Sequence, residues 1–117
     1  MSTPQKQKGD RAERAIVEWL HSLGFTKAHR IRAGSPDDIG DIELSPDIVI
    51  EVKDRGKIDL PAWVRKLGLQ KANKEAAFGV IVVKKRGSSD PFEWAYVIDA
   101  ASLVNVLTSR EFIREKL

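Results

Sequence analysis

The sequence predicts an α/β domain, with an α+β type of mixed β-sheet flanked by helices. Three observations support this fold class: an N-terminal stretch with helical periodicity, two β-rich runs around a three-residue break, and an apolar run that follows a second helical stretch. A hairpin followed by a strand–helix–strand unit combines antiparallel and parallel neighbours in one sheet. The predicted order is helix, strands, helix, strand, strand, helix.

Length and composition limit the number of domains and the class of protein. The 117 residues are enough for one ordinary domain. A chain that is 42% hydrophobic and 32% charged is neither disordered nor membranous by composition, and no apolar run approaches the roughly 20 residues of a spanning helix. We expect residues 1–9 to be a flexible basic N-terminus and residues 10–117 to form a single domain. The absence of cysteine excludes disulfides and thiolate chemistry.

The first predicted helix is capped by Asp10, with Glu13 three residues later completing a capping box. Apolar residues then recur with a period of 3.6, at Ala12, Ala15, Ile16, Trp19, Leu20 and Leu23. Gly24 ends the helix, as glycine commonly does.

The strands and remaining helices follow from alternation, apolar runs and turn residues. Residues 25–32 are a short strand candidate, residues 33–38 a loop, and residues 39–44 and 48–54 the two strands of a hairpin. The later elements are a helix from Leu60 to about Ala77, a buried strand at 79–85, a turn, a strand at 93–99, a helix over 100–107 capped by Asp99, and a last amphipathic piece near 110–117.

The hairpin places polar residues on one face. If residues 45–47 form the turn, paired residue numbers sum to 92, and Asp41 lies directly opposite Glu51. The apolar residues at 42, 44, 48, 50 and 52 share the other face. Two carboxylates about 5 Å apart at Cβ repel each other across strands, and a divalent cation relieves that conflict. Lys53, two residues beyond Glu51, projects toward the same site.

The alternative is that these charges lie on a solvated sheet face. The strand that carries Glu51 is otherwise so apolar that we expect it to be central, where charges need a partner. Because the chain has only two histidines and no cysteine, a metal would be held by carboxylates, which favours Mg²⁺ or Mn²⁺.

Basic residues occur in clusters although the net charge is only +3. Such clusters suit a phosphate backbone, but most lysines are simply solvated surface. The candidate nucleic-acid contacts are Lys8, Arg11, Arg14, Arg32, Ser35, Arg55, Lys57, Lys66, Lys85 and Arg86.

These segments resemble a known family. GDI (40–42), followed after a short break by EVK (51–53), resembles the signature of the PD-(D/E)XK nuclease superfamily, whose restriction-endonuclease-like core has the order αβββαβ. KGDRAE (8–13) resembles the first helix of its Holliday junction resolvases, of the archaeal type. Residues 60–72 with 81–87 are similar to small resolvase-like proteins of actinobacterial phages. The resemblance covers about residues 8–99.

The resemblance implies roles for individual residues. The implied metal ligands are Asp41, Glu51, Glu13 and the backbone carbonyl of Val52. The implied catalytic residues are Glu13, Asp41, Glu51, Lys53 and Gln70. Each assignment has a structural alternative: Glu13 as a capping residue, Gln70 as a surface glutamine, and Ser35 as a turn residue. Because no Pro-Asp pair opens the first hairpin strand, Asp37 and Asp38 are possible substitutes for Asp41.

The implied function is hydrolysis of phosphodiester bonds in branched DNA, as in a Holliday junction resolvase of DNA recombination. It implies Mg²⁺ as cofactor, with Mn²⁺ able to substitute, a homodimer, and the cytoplasm of a bacterial or phage-infected cell. The alternatives are another nuclease of the superfamily, such as an exonuclease or a nicking repair enzyme, and a non-catalytic DNA-binding module of the same fold.

Overall fold

The computed structural model describes residues 3–32 and 36–109. The helices and strands in these ranges are α1 (Pro4–Ser22), β1 (His29–Arg30), β2 (Ile42–Glu43), β3 (Ile48–Lys53), α2 (Leu60–Lys74), β4 (Phe78–Val83), a 3₁₀ turn (Pro91–Glu93), β5 (Ala95–Ile98) and α3 (Ala100–Leu107). None of these helices is long and apolar enough to cross a membrane. The last amphipathic piece predicted from residue 110 onward lies outside the described residues.

The five strands form one mixed sheet in the order β1-β2-β3-β4-β5. Strands β3 and β4 are parallel and are joined through α2, whereas the other neighbouring pairs are antiparallel. This arrangement confirms the predicted mixed sheet flanked by helices. Strand β3 is central, as its apolar sequence predicted, so its polar residues are covered from both sides of the strand.

The prediction that Asp10 caps the first helix was wrong. Helix α1 begins at Pro4, and the side chain of Thr3 accepts a hydrogen bond from the backbone N–H of Lys6 at 3.1 Å. Proline is tolerated at the first helical position because its missing N–H would have no partner there. Residues 4–9 are therefore helical, although we predicted a flexible segment, and Asp10 lies inside the helix. The predicted C-terminal end is confirmed, since α1 stops at Ser22.

Two apolar clusters lie on opposite faces of the sheet. On one face, α1 packs against β2 and β3 through Ile16, Ile42, Ile50 and other buried residues. On the other face, Leu67 of α2 packs against Val49 of β3 and against β4. The predicted core face of the hairpin is confirmed, while its polar face is covered by α2 and is not a solvated surface.

Helix α2 lies unusually close to β4. A Cβ atom added at Gly79 would come within 2.8 Å of side-chain atoms of both Leu67 and Lys71. The N–H of Gly79 also donates to the buried hydroxyl of Ser102 in α3, at 2.8 Å. The absence of a side chain at Gly79 therefore fixes how closely α2 approaches the sheet, and this distance determines which α2 side chains reach β3.

Candidate metal and nucleic-acid site

Gly40 shapes the turn of chain that presents Asp41. Its φ of +104° is in the left-handed region, and an added Cβ would lie 2.9 Å from the carbonyl oxygen of Ile50. The next N–H, that of Asp41, donates to the same Ile50 oxygen at 2.8 Å. The close approach of the two backbones requires glycine at position 40.

The predicted register is confirmed where the strands pair, because Ile42 lies opposite Ile50. It does not extend to Asp41, which lies outside the ladder because the regular part of β2 is only two residues long. The prediction that Asp41 faces Glu51 as a paired strand residue was wrong. Their side chains nevertheless meet in a hydrogen bond. Asp41 also accepts a hydrogen bond from the backbone N–H of Val52 at 2.8 Å.

Asp41 and Glu51 form a contacting pair of carboxyl groups in which Asp41 is half-buried. Glu51 is only 5% exposed. Burial and the neighbouring Glu51 raise the pKa of Asp41, while a hydrogen bond from Asp41 and the ammonium of Lys66 hold the pKa of Glu51 below its ordinary value. Of the two groups, Asp41 therefore takes up a proton more readily than Glu51, because two carboxylates in contact cannot both ionise without help.

Two lysines flank Glu51. The ammonium of Lys66, from α2, lies 3.0 Å from Glu51 Oε2, and that of Lys53 lies 3.8 Å from the same oxygen. Lys53 also lies over the ring of Trp63, at 5.4 Å from its centroid. We predicted Lys53 as the site lysine and Lys66 only as a nucleic-acid contact. The shorter ion pair is made by Lys66.

Gln70 lies at the site and is not a surface residue. It is 1% exposed, and its Nε2 donates to Glu51 Oε2 at 3.0 Å and to Asp38 Oδ1 at 2.9 Å. Its Oε1 is buried without a hydrogen-bond partner. Asp38, which we considered as a substitute for Asp41, is therefore joined to the acidic pair through Gln70 and through Lys66, 3.7 Å away.

Glu13 is held by Arg30. Its Oε1 accepts a hydrogen bond from Arg30 Nε at 3.0 Å, and Arg30 Nη2 donates to Asp10 at 2.7 Å. Burial raises the pKa of Glu13 despite the arginine, and the charge of Glu51 contributes in the same direction. Glu13 therefore lies within electrostatic reach of the acidic pair, but its carboxylate is engaged with β1.

One cleft of about 830 Å³ is lined by the acidic pair and by Glu13, Asp38, Lys53 and Lys66. Its walls come from the first half of α1, residues 30–32 and 36–41, the end of β3 and the start of α2. Seven acidic and six basic residues line it, so the cleft carries charges of both signs. The acidic pair lies where β2 begins, and Lys53, Asp54 and Arg55 continue the cleft from β3.

The residues present fit a divalent cation of the Mg²⁺ type. No three or more acidic, histidine or cysteine side chains converge into a complete metal-binding group within the part of the chain that the structure describes. Magnesium, however, is commonly held by one or two carboxylates and completes its shell with water and substrate phosphates. The contact between Asp41 and buried Glu51 is the observation that favours a cation here.

The predicted nucleic-acid contacts fall into three groups. Arg32, Arg55 and Lys66 line the cleft, and Lys8 lies 3.8 Å from Asp54 at its edge. The others among the described residues are exposed outside the cleft lining: Arg11 and Arg14 on α1, and Lys57, Lys85 and Arg86 on the loops after β3 and β4. Ser35 lies outside the described residues.

Sequence reasoning gave Arg30 no role at the site, assigned Lys66 only to nucleic-acid contact and considered Asp38 only as a substitute for Asp41. Lys66, Asp38 and Arg30 all contact predicted site residues, yet none belongs to the hairpin motif. The spacing of Lys66 and Gln70, four residues apart on α2, places them on one helix face and was an available signal. Comparisons of the chain with family models, curated proteins and solved structures found no match.

Proposed function

We propose that this chain is a Mg²⁺-dependent endodeoxyribonuclease that cuts branched DNA, with the four-way junction as its leading substrate. The observation that carries the proposal is the contact between half-buried Asp41 and buried Glu51, flanked by Lys53 and Lys66 in an open cleft. Two carboxyl groups in contact beside two ammonium groups ionise together only with the help of positive charge, and this arrangement suits a site for a cation and a phosphate.

Asp41, Glu51 and the backbone carbonyl of Val52 are the groups that would hold the cation, with Glu13 as a further ligand if Arg30 releases it. Val52 is suited because its N–H already points to Asp41, so its backbone lies at the site. A bound Mg²⁺ would lower the pKa of a coordinated water and polarise the scissile phosphate. Gln70 holds Glu51 in place by donating to its Oε2.

Lys53 lies beside Glu51 in the cleft lining, and its side chain is only 12% exposed. The ring of Trp63 lies against the ammonium and restricts its position. From there, Lys53 can orient the attacking water and offset negative charge that develops on the phosphate.

The basic residues of the cleft and of the loops after β3 and β4 would hold the DNA backbone. Such contacts position a duplex without reading its bases. The choice of a four-way junction, as in DNA recombination, depends on the sequence resemblance. Paired cuts across a junction need two active sites, so the proposal includes a homodimer in the cytoplasm of a bacterial or phage-infected cell.

The test is cleavage of an end-labelled four-way junction, with a linear duplex of the same sequence as comparison substrate. Reactions contain Mg²⁺ or EDTA and use wild type, Asp41→Asn, Lys53→Ala and, as matched control, Lys27→Ala. Lys27 is an exposed lysine outside the cleft. We expect symmetric paired nicks in the junction with wild type and the control, and none with EDTA or the two site variants.

The other outcomes divide the alternatives. Cutting of the linear duplex to the same extent would support a nuclease and remove the junction preference. Binding of DNA without cutting in Mg²⁺ or Mn²⁺ would support a non-catalytic binding module. Cleavage that survives Asp41→Asn and Lys53→Ala would mean that the active site lies elsewhere on the chain.

A further inference from the structure

We infer that Lys66 is a tethered counter-ion that occupies the cation position of the acidic site, and that a divalent cation must displace it. The inference deepens the proposed function, because it rests on a cation binding beside Asp41 and Glu51. It concerns how that site stays folded before the cation arrives and how tightly it binds one.

The position of the Lys66 ammonium carries the inference. It lies 3.0 Å from Glu51 Oε2 and 3.7 Å from Asp38 Oδ2, and it also acts electrostatically on Asp41. A single positive charge thus serves three carboxyl groups, as a bound metal would. Lys66 is the nearest cation to Glu51, closer than Lys53.

The two lysines differ in their freedom to leave. Lys53 is 12% exposed and lies against Trp63, whereas the side chain of Lys66 is 47% exposed at the mouth of the cleft. A lysine on a flexible four-carbon stem can move its ammonium several ångströms without a change in the helix. Lys66 can therefore swing out into the cleft while Lys53 stays.

The arrangement also accounts for the incomplete ligand set. Asp38 contacts Lys66 and Gln70, and Glu13 contacts Arg30, so both carboxylates are already engaged with other partners. The buried Oε1 of Gln70, which has no partner, is part of the same group of side chains. Departure of Lys66 frees one face of Glu51 and one oxygen of Asp38 for a cation.

Competition for the site can be measured by Mn²⁺ binding, using electron paramagnetic resonance of free Mn²⁺. The proteins are wild type, Lys66→Met, Lys66→Arg and, as control on the same helix, Arg65→Met, with folding checked by circular dichroism. Removal of a competing ammonium should tighten Mn²⁺ binding about five-fold in Lys66→Met, the scale of one partly exposed ion pair. Lys66→Arg keeps the charge and should stay near wild type, as should Arg65→Met.

A second measurement uses wild type alone. Acetylation of lysines is mapped by mass spectrometry with and without saturating Mn²⁺. Lys66 should become more reactive when Mn²⁺ is bound, because its ammonium is released into the cleft. Lys74 is the internal control: it is 8% exposed and engaged with Glu43 at 2.8 Å, so its reactivity should not change.

The outcomes separate the counter-ion role of Lys66 from the proposed nuclease function. Equal or weaker Mn²⁺ binding by Lys66→Met, or unchanged reactivity of Lys66, would overturn the counter-ion role even if wild type cuts DNA. Tighter binding by Lys66→Met together with no cleavage of any DNA would keep the role and remove the nuclease. Absence of Mn²⁺ binding by every protein tested would overturn both.

Discussion

The backbone N–H of Val52 donates to the carboxylate of Asp41 at 2.8 Å, and this bond joins the loop before β2 to the central strand. This bond holds Asp41 against β3 at a position where β2 has not yet begun to pair as a regular strand. Asp41 is therefore positioned by β3 itself, the strand that carries Glu51 and Lys53.

Asp41→Asn should make the metal-free protein more stable at neutral pH. Contact with Glu51 and burial raise the pKa of Asp41 to about 8, well above that of an unfolded aspartate. Above about pH 5 the folded state therefore binds more protons than the unfolded state, so the free energy of unfolding falls as pH rises toward 8. Asparagine needs no proton and should remove this slope, with a gain of about 1–2 kcal/mol at pH 8.

Urea denaturation of both proteins at pH 5.5 and at pH 8, in EDTA, measures the effect. The two proteins should differ more at pH 8 than at pH 5.5. An equal difference at both pH values would show that Asp41 is ionised throughout and would contradict the shared proton.

Gly40→Ala should destabilise the protein more than Gly24→Ala. Both glycines have positive φ, of +104° and +102°, but an added Cβ meets the Ile50 carbonyl oxygen at 2.9 Å only at position 40. The strain of a positive φ is common to both variants, about 1 kcal/mol, and the clash is an additional cost of about 1–2 kcal/mol at Gly40. Thermal unfolding followed by circular dichroism compares them, and equal losses would argue against the close approach.

Trp63→Leu should weaken the function of Lys53, and Trp63→Phe should largely keep it. The ring face attracts the Lys53 ammonium at 5.4 Å, and phenylalanine retains a ring where leucine does not. Under the proposed function, we expect a loss of roughly ten-fold in the single-turnover cleavage rate with leucine, and roughly two-fold with phenylalanine. Equal losses in the two variants would indicate that Trp63 contributes only volume to the core.

Asp99→Asn should remove an ion pair while keeping a helix cap. Asp99 accepts from the Ser102 N–H at 3.0 Å and from Lys71 Nζ at 2.7 Å. These contacts hold the pKa of Asp99 below its ordinary value, so its contribution to stability is present above about pH 4 and is lost as pH falls further. Asparagine can still cap α3 but cannot pair with Lys71.

The expected loss in Asp99→Asn is about 1 kcal/mol at pH 7, and it should shrink toward zero near pH 3. Asp99→Ala, which also removes the cap, is the matched comparison and should cost about 1 kcal/mol more at either pH. Denaturant unfolding at the two pH values measures both. A loss in Asp99→Asn that does not depend on pH would contradict the ion pair.

The predictable part of the fold was the part determined by local patterns. Alternation placed the apolar residues of the hairpin on the core face, the apolar run at 79–85 predicted β4, and Asp99 was recognised as the cap of α3. The start of α1 was missed because residues 4–9 have no apolar periodicity. Asp10 fits the capping pattern in sequence but is used as a partner of Arg30.

The candidate site was only partly predictable, for a physical reason. Asp41, Glu51 and Lys53 lie on one hairpin, so their proximity follows from strand geometry. Lys66 and Gln70 reach Glu51 from α2, and that distance depends on how closely α2 packs on the sheet at Gly79. A periodic pattern gives the buried face of a helix, but not its height above a strand.

The crossover through α2 ties the folding of the protein to the assembly of its cleft. The hairpin can form early from neighbouring residues, but the parallel pairing of β3 with β4 requires α2 to be in place. Until then, Glu51 lacks both Lys66 and Gln70. Opening of α2 would return Glu51 to that state. The backbone amides of α2 and of the β2–β3 hairpin should therefore exchange hydrogen together, as one cooperative unit.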